Sequence, residues 1–246
     1  MASSVPHSEI LKQVEKAGLL GDTQIEIKEI SGDIDPNQLL EAGDVDANFF
    51  QHNPYLTSWE AEHKVDDLVN VATVHVEPLG VYSSKLKDLT AVPEGATVAL
   101  SNNVSNFARG LFLLQDAGLL KLDVSPSTPN LDYSQVTEKN IVENPHKLTF
   151  VQIDPAQLPN TLSDGKIDLS VINGNYALEA GLTPAKDALA LEKADGNPYA
   201  NTLTVKKDEQ DDPRVKALAK ALESPEIAKW IADNYKGSVI PVNETK

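Results

Sequence analysis

The chain has 246 residues, no cysteine and a formal net charge of −16. That length holds one large α/β domain or two small ones, and the lack of cysteine removes disulfides, zinc–thiolate sites and thiol nucleophiles. The charge argues against nucleic acid as a partner, which needs a basic footprint, and against direct contact with anionic lipid.

The pattern predicts a helix opened by Ser4-Val5-Pro6-His7, with Ile10, Leu11, Val14 and Ala17 as its apolar stripe and Gly18 at its end. Ile25, Ile27 and Ile30 alternate with polar residues, so residues 24–30 read as a strand. Asp35 is the expected N-cap of a short helix that Gly43 closes. Val45 and Ala47 then lead a buried strand to Phe49, Phe50, His52 and Tyr55. Asn53-Pro54 opens a helix to about residue 63 that buries Leu56 and Trp59. Residues 69–82 form a long β region broken at Pro78, and residues 97–100 a buried strand. The polar run 101–106 feeds a helix from about Phe107 to Ala117, an arrangement suited to anions. Strands follow at 148–153, 170–172 and 202–206. Asp212-Pro213 and Ser224-Pro225 open the last two helices, and Gly237 ends the second. Strands alternating with helices predict a largely parallel α/β architecture. No stretch reaches the roughly 18–20 apolar residues of a membrane span, and no signal peptide is legible after Met1.

Two stretches share one grammar. Leu39-Leu40-Glu41-Ala42-Gly43-Asp44-Val45-Asp46 and Leu162-Ser163-Asp164-Gly165-Lys166-Ile167-Asp168-Leu169 each run from leucine through glycine and an aliphatic residue to aspartate. Each leads to a strand that ends in polar and aromatic groups: Phe50, His52 and Tyr55 in one, Asn173, Asn175 and Tyr176 in the other. Open α/β sheets bind ligands beyond the carboxyl ends of their strands. Two similar domains facing one ligand are the functional reading; generic helix-to-strand chemistry is the plain one.

The segments Ala47-Asn48-Phe49-Phe50-Gln51-His52-Asn53-Pro54-Tyr55-Leu56, Val74-His75-Val76-Glu77-Pro78-Leu79-Gly80 and Val171-Ile172-Asn173-Gly174-Asn175-Tyr176-Ala177 together resemble the NLPA lipoprotein family. So do Pro6-His7-Ser8-Glu9-Ile10-Leu11, Tyr199-Ala200-Asn201 and Tyr235-Lys236-Gly237, in the same order along nearly the whole chain. These are methionine-binding lipoproteins of ABC importers. The resemblance implies a type 2 periplasmic-binding-protein fold with the ligand in a cleft between two lobes, residues 1–84 plus 202–246 and residues 85–201. It implies an extracytoplasmic, monomeric protein, lipid-anchored to the cell envelope in its precursor, that binds an amino acid or dipeptide and serves a membrane permease without a cofactor or metal. Phe50, His52, Arg109, Asn173 and Asn201 fall at the ligand positions that the resemblance implies, and Tyr55 and Asn106 beside them are further candidate ligand residues. Two departures stand out. The first strand looks truncated, and Asp33 stands where the family commonly has a tyrosine. A buried unpaired carboxylate disfavours an apolar side chain, so Asp33 points to a ligand with an extra amine or a peptide amino terminus.

Each residue also has a plain reading. Arg109 alone is as readily a structural cation in a salt bridge, although its planar fork matches a carboxylate bidentately. His52 could be a packed loop histidine, Phe50 or Tyr55 simple core, and Asn173 and Asn201 loop caps. His75 and Glu77, two apart on one strand face, read as structural, because metal binding needs further ligands that the sequence does not place. An enzyme acting on a small amino acid is the first alternative, although no nucleophile elbow, Walker loop or dinucleotide fingerprint is present. A scaffold or adhesion homologue without a working pocket is the second.

Overall fold

A computed structural model describes residues 1–30, 34–128 and 131–243; the candidate ligand residue Asp33 lies outside the described residues. The chain divides into two compact units, Met1–Glu77 with Ala194–Lys246, and Pro78–Lys193. The crossings therefore come earlier than the expected boundaries after 84 and before 202. The reason lies in the ladders. Gly80–Tyr82 pairs antiparallel with Leu169–Ile172, which assigns it to the second unit. Pro78 has no amide hydrogen to extend the first ladder past Val76.

The first unit is built on a six-stranded sheet. Its spatial order is Lys28–Glu29, Ala2–Ser3, Asn48–His52, Asn201–Lys206, Leu68–Val76 and Ile240–Pro241. The first three strands are parallel. Asn201–Lys206 runs antiparallel to both its neighbours. The expected strand at 24–30 is reduced to Lys28–Glu29. Its neighbour Ala2–Ser3 offers only two residues of ladder, closed by Lys28 N–H on Met1 O and Ile30 N–H on Ser3 O. That short first strand is nonetheless paired on both sides.

Helix His7–Lys16 buries Ile10, Leu11 and Val14 of the predicted stripe, while Ala17 lies past the helix end as its cap and is half-buried. Helix Pro36–Ala42 is capped as expected: the Asp35 carboxylate accepts from the amides of Asn37 and Gln38, and Gly43 closes the helix at a φ of 76°. A buried amide network then fixes this helix to the sheet. Asn48 Nδ2 donates to Asn37 Oδ1 at 2.8 Å, Gln51 Nε2 to the same oxygen at 2.7 Å, and Gln51 Nε2 also reaches Thr204 Oγ1 at 3.3 Å.

The second unit has a five-stranded sheet in the order Thr149–Ile153, Thr97–Ser101, Leu169–Ile172, Gly80–Tyr82 and Ala190–Leu191. Its first four strands repeat the arrangement of the first sheet, three parallel strands and then an antiparallel one, although here the antiparallel strand comes from the start of the same continuous stretch. The two segments of shared grammar lead into corresponding strands, Asn48–His52 and Leu169–Ile172. Both faces of the second sheet are covered. Val98, Leu100, Leu169 and Val171 pack with Leu111 and Leu114 of helix Val104–Asp116. Ala99 and Ile172 on the other face pack with Leu158 and Ala177. The near-continuous apolar run of each central strand follows from this double burial.

Helix Val104–Asp116 starts three residues earlier than the pattern suggested, because the Asn103 side chain accepts from Asn106 N–H and caps it. Arg109 therefore sits on the second turn, not the first. The helix lies close on the sheet at Gly110, where a Cβ would come within 2.6 Å of Leu100 Cδ2. Gly110→Leu should force that interface apart and lower stability by about 2–3 kcal/mol, read as a lower urea midpoint with an unchanged m-value.

Candidate functional site

Both units concentrate polar side chains at the carboxyl ends of their parallel strands. In the second unit Thr97–Ser101 ends beneath the start of helix Val104–Asp116, and Leu169–Ile172 ends at Asn173. Ser101 Oγ accepts from Asn103 N–H at 3.1 Å, and Asn103 Oδ1 accepts from the Nδ2 of Asn106 at 3.3 Å. Asn106 Oδ1 in turn accepts from Asn173 Nδ2 at 3.1 Å. This last bond joins the ends of the first and third strands, the point where strand order reverses and where open α/β sheets take ligands. It also fixes the Asn173 amide: the donor side is used, and Oδ1 is left buried without a hydrogen-bond partner. Asn173 precedes helix Gly174–Glu179, yet its side chain makes no capping bond. The loop-cap reading of this residue therefore fails.

Arg109 follows Asn106 by one helical turn on the same face. It is 2% exposed. Its Nε donates to Glu192 Oε1 and Oε2 at 3.0 and 3.1 Å, and Nη2 donates to Oε2 at 2.5 Å. Glu192 Oε2 also accepts from Leu79 N–H at 3.1 Å. The salt bridge of the plain reading is thus present, but buried. Glu192 was not legible as a partner. It lies 83 residues from Arg109 in sequence, and nothing local distinguishes it from the chain's other acids.

In the first unit His52 ends strand Asn48–His52 and caps helix Asn53–His63, its Nδ1 accepting from Tyr55 N–H at 3.1 Å. That bond fixes the neutral ring with its hydrogen on Nε2. The ring meets Tyr199 and Tyr55 edge-on, at centroid distances of 5.0 and 6.2 Å. Phe50 meets Tyr55 in the same way at 5.7 Å. Phe50 and Tyr55 are both half-buried, and Tyr55 also packs against the core formed by Leu40, Leu56 and Trp59. Asn201 opens the next strand, in register with His52 on one side and His75 on the other.

His7 supplies what the sequence did not assign. Its Nε2 lies 3.1 Å from Asn201 Oδ1 and 3.0 Å from Glu77 Oε1. His75 Nε2 lies 2.8 Å from the same Glu77 oxygen. The structural reading of His75 and Glu77 acquires its partner here. His7, His75 and Glu77 could together offer three metal ligands. However, Nδ1 of both rings is buried without a partner, whereas metal-ligating histidines normally anchor that nitrogen. The cluster is instead a carboxylate held between two imidazole N–H groups. Burial lowers the pKa of His75, against the opposing pull of Glu77. For Glu77, burial acts upward, but the two imidazoles outweigh it and hold the carboxyl well below the usual range.

The chain belongs to the NlpA lipoprotein family, whose family model matches residues 2–243. It is 39% identical over 243 residues to the methionine-binding lipoprotein of Bacillus subtilis, covering 99% of this chain and 87% of that protein. The structure of a nutrient binding protein from Burkholderia cenocepacia bound to methionine is 40% identical, with a TM-score of 0.88 over 98% of each chain. A periplasmic substrate-binding protein of an ABC transporter from Coxiella burnetii is 36% identical, with a TM-score of 0.86 over 98% of this chain and 99% of that one. The fold is the two-lobed α/β fold of these binding proteins. Among the described residues no helix is long and apolar enough to cross a membrane.

The Glu77 cluster makes stability depend on pH. The folded-state pKa of His75 lies below its ordinary 6.5 and that of Glu77 below its ordinary 4.5. In both windows the unfolded chain binds more protons, so stability falls as pH falls, first below about 6.5 and then below about 4.5. At pH 7 Glu77→Gln should cost about 3 kcal/mol. The gap between wild type and Glu77→Gln should narrow as pH drops below about 4.5, measured by urea unfolding at each pH.

Proposed function

We propose that the chain is an extracytoplasmic solute-binding protein that captures methionine, or a related amino acid or dipeptide, and delivers it to the membrane permease of an ABC importer. It acts as a monomer, held at the cell envelope by the lipid anchor of its precursor. The observation that carries the reading is the buried, unpartnered Asn173 Oδ1, whose amide is bonded to Asn106, itself one helical turn before Arg109. An acceptor and a guanidinium so placed match the ammonium and carboxylate of an α-amino acid. Asn173 Oδ1 takes the ammonium. Arg109 takes the carboxylate. Asn106 keeps the Asn173 amide in the required orientation.

In the first unit, Asn201 offers its Nδ2 hydrogens, because its oxygen faces His7 Nε2. His52 carries its hydrogen on Nε2, since Tyr55 N–H occupies Nδ1. Phe50 and Tyr55 give an apolar surface for the ligand side chain, and aromatic edges suit a thioether. Asp33 is assigned to selectivity toward a ligand carrying an additional amine. The methionine named for the relatives from Bacillus subtilis and Burkholderia cenocepacia supports this ligand class.

Mass spectrometry of small molecules released on denaturing the purified protein tests the ligand, and calorimetry with methionine and methionine dipeptides tests affinity. Asn173→Ala should weaken binding about tenfold to a hundredfold, the value of a hydrogen bond to a charged group, with the melting temperature nearly unchanged. Arg109→Lys should weaken it at least tenfold, because an ammonium lacks the planar fork. An Asn173→Ala protein that binds within threefold of wild type would remove Asn173 from the site.

A further inference from the structure

Glu192 is a largely enclosed acid in an unusual place, its side chain 13% exposed. The chain passes between its units at Glu77–Pro78 and again at Lys193–Ala194. Leu79 follows the first crossing and Glu192 precedes the second. Glu192 N–H donates to Leu79 O at 2.9 Å, and Leu79 N–H donates back to Glu192 Oε2 at 3.1 Å. The two segments are thus joined reciprocally, once through the backbone and once through a carboxylate. That same carboxylate receives Nε and Nη2 of Arg109.

We infer that Glu192 is a positioning residue that orients Arg109 for the ligand carboxylate and ties Arg109 to both crossing segments. The inference rests on the functional reading above. An arginine side chain has many rotamers, and a ligand must order them unless something else already has. Glu192 orders them beforehand. The pair is no ordinary surface bridge, since the side chains are 3% and 13% exposed; exposed pairs do little, whereas a buried one holds its geometry because losing either partner strands a charge. Helix Val104–Asp116, which carries Arg109, is held close to the sheet at Gly110. A load placed on the guanidinium therefore passes to the partner carboxylate. From there it reaches the Leu79 amide. By linkage, a ligand that tightens this arrangement is itself bound more tightly by it.

The test combines calorimetry with hydrogen exchange at the Leu79 amide, using methionine as the probe on the full chain. In wild type, saturating methionine should slow exchange at Leu79 by about fivefold or more. Glu192→Gln should weaken binding by about tenfold or more and abolish that slowing. Glu192→Asp keeps the charge on a shorter arm and should lie between the two. Glu192→Gln binding within threefold of wild type, or more tightly, overturns the inference; the tighter result would make Glu192 a competitor of the ligand. Weaker binding with the Leu79 slowing intact also overturns it, by leaving Glu192 a merely structural role. If Glu192→Gln does not fold, Glu192→Asp decides alone: wild-type affinity and wild-type slowing overturn the inference. A wild type that binds no amino acid defeats the functional reading and this inference together, whereas normal wild-type binding with an unaffected variant defeats this inference only.

Discussion

Strand Asn201–Lys206 lies between Asn48–His52 and Leu68–Val76 and is antiparallel to both. Without it the first unit's sheet would fall into two pieces, each with an exposed edge of unpaired amides and carbonyls. Its side chains show how completely it is enclosed: Leu203, Thr204 and Val205 are all fully buried. The register is set by polar as well as apolar groups. Thr204 Oγ1 donates to Asn70 Oδ1 at 2.8 Å and accepts from Gln51 Nε2, so the strand is fixed from both neighbours. A slip of one residue would turn Thr204 and Leu203 to opposite faces and break both contacts.

Once that strand is in register, the polar groups at its amino-terminal end have determined partners. Asn201 is brought between His52 and His75, and His7 reaches it from the neighbouring helix. The second unit solves the same problem differently. Its corresponding strand, Gly80–Tyr82, brings no amide to the edge, and the polar groups come instead from Asn103, Asn106 and Asn173. In both units a side chain proposed for the ligand is held by a second polar residue. Asn106 orients Asn173, and His7 orients Asn201. Each uses one end of the amide and so determines which end is presented.

Much of this was legible because it is local. Asp35 and Gly43 bracket their helix as their chemistry requires, and Ile10, Leu11 and Val14 mark its neighbour's buried face. The paired grammar of 39–46 and 162–169 located two equivalent strands. What escaped was set by distant partners. Nothing near Lys28 reports that ladder pairing is confined to Lys28–Glu29. Pro78 marked a break in the β region, but only the pairing of Gly80–Tyr82 with Leu169–Ile172 shows that the two halves belong to different sheets. The site followed the same rule. Arg109, Asn173 and His52 are candidates by residue type, position and resemblance, whereas the contacts of Glu192 and His7 span 83 and 194 residues. The start of helix Val104–Asp116 was missed for a smaller reason: in a run with several asparagines, only geometry tells that Asn103 is the cap.

The division of the chain also has a temporal side. The second unit is one continuous stretch, Pro78–Lys193, while the first is made from two separated pieces. A growing polypeptide emerges from its amino end, so every residue of the second unit is available before Asn201–Lys206 exists. Until that strand arrives, Asn48–His52 and Leu68–Val76 each lack the partner that joins them. The inserted stretch can reach its native pairing first, and the unit that begins the chain is the one that finishes last. Its early strands, with open ladders, are the part of the nascent protein most in need of protection from other chains.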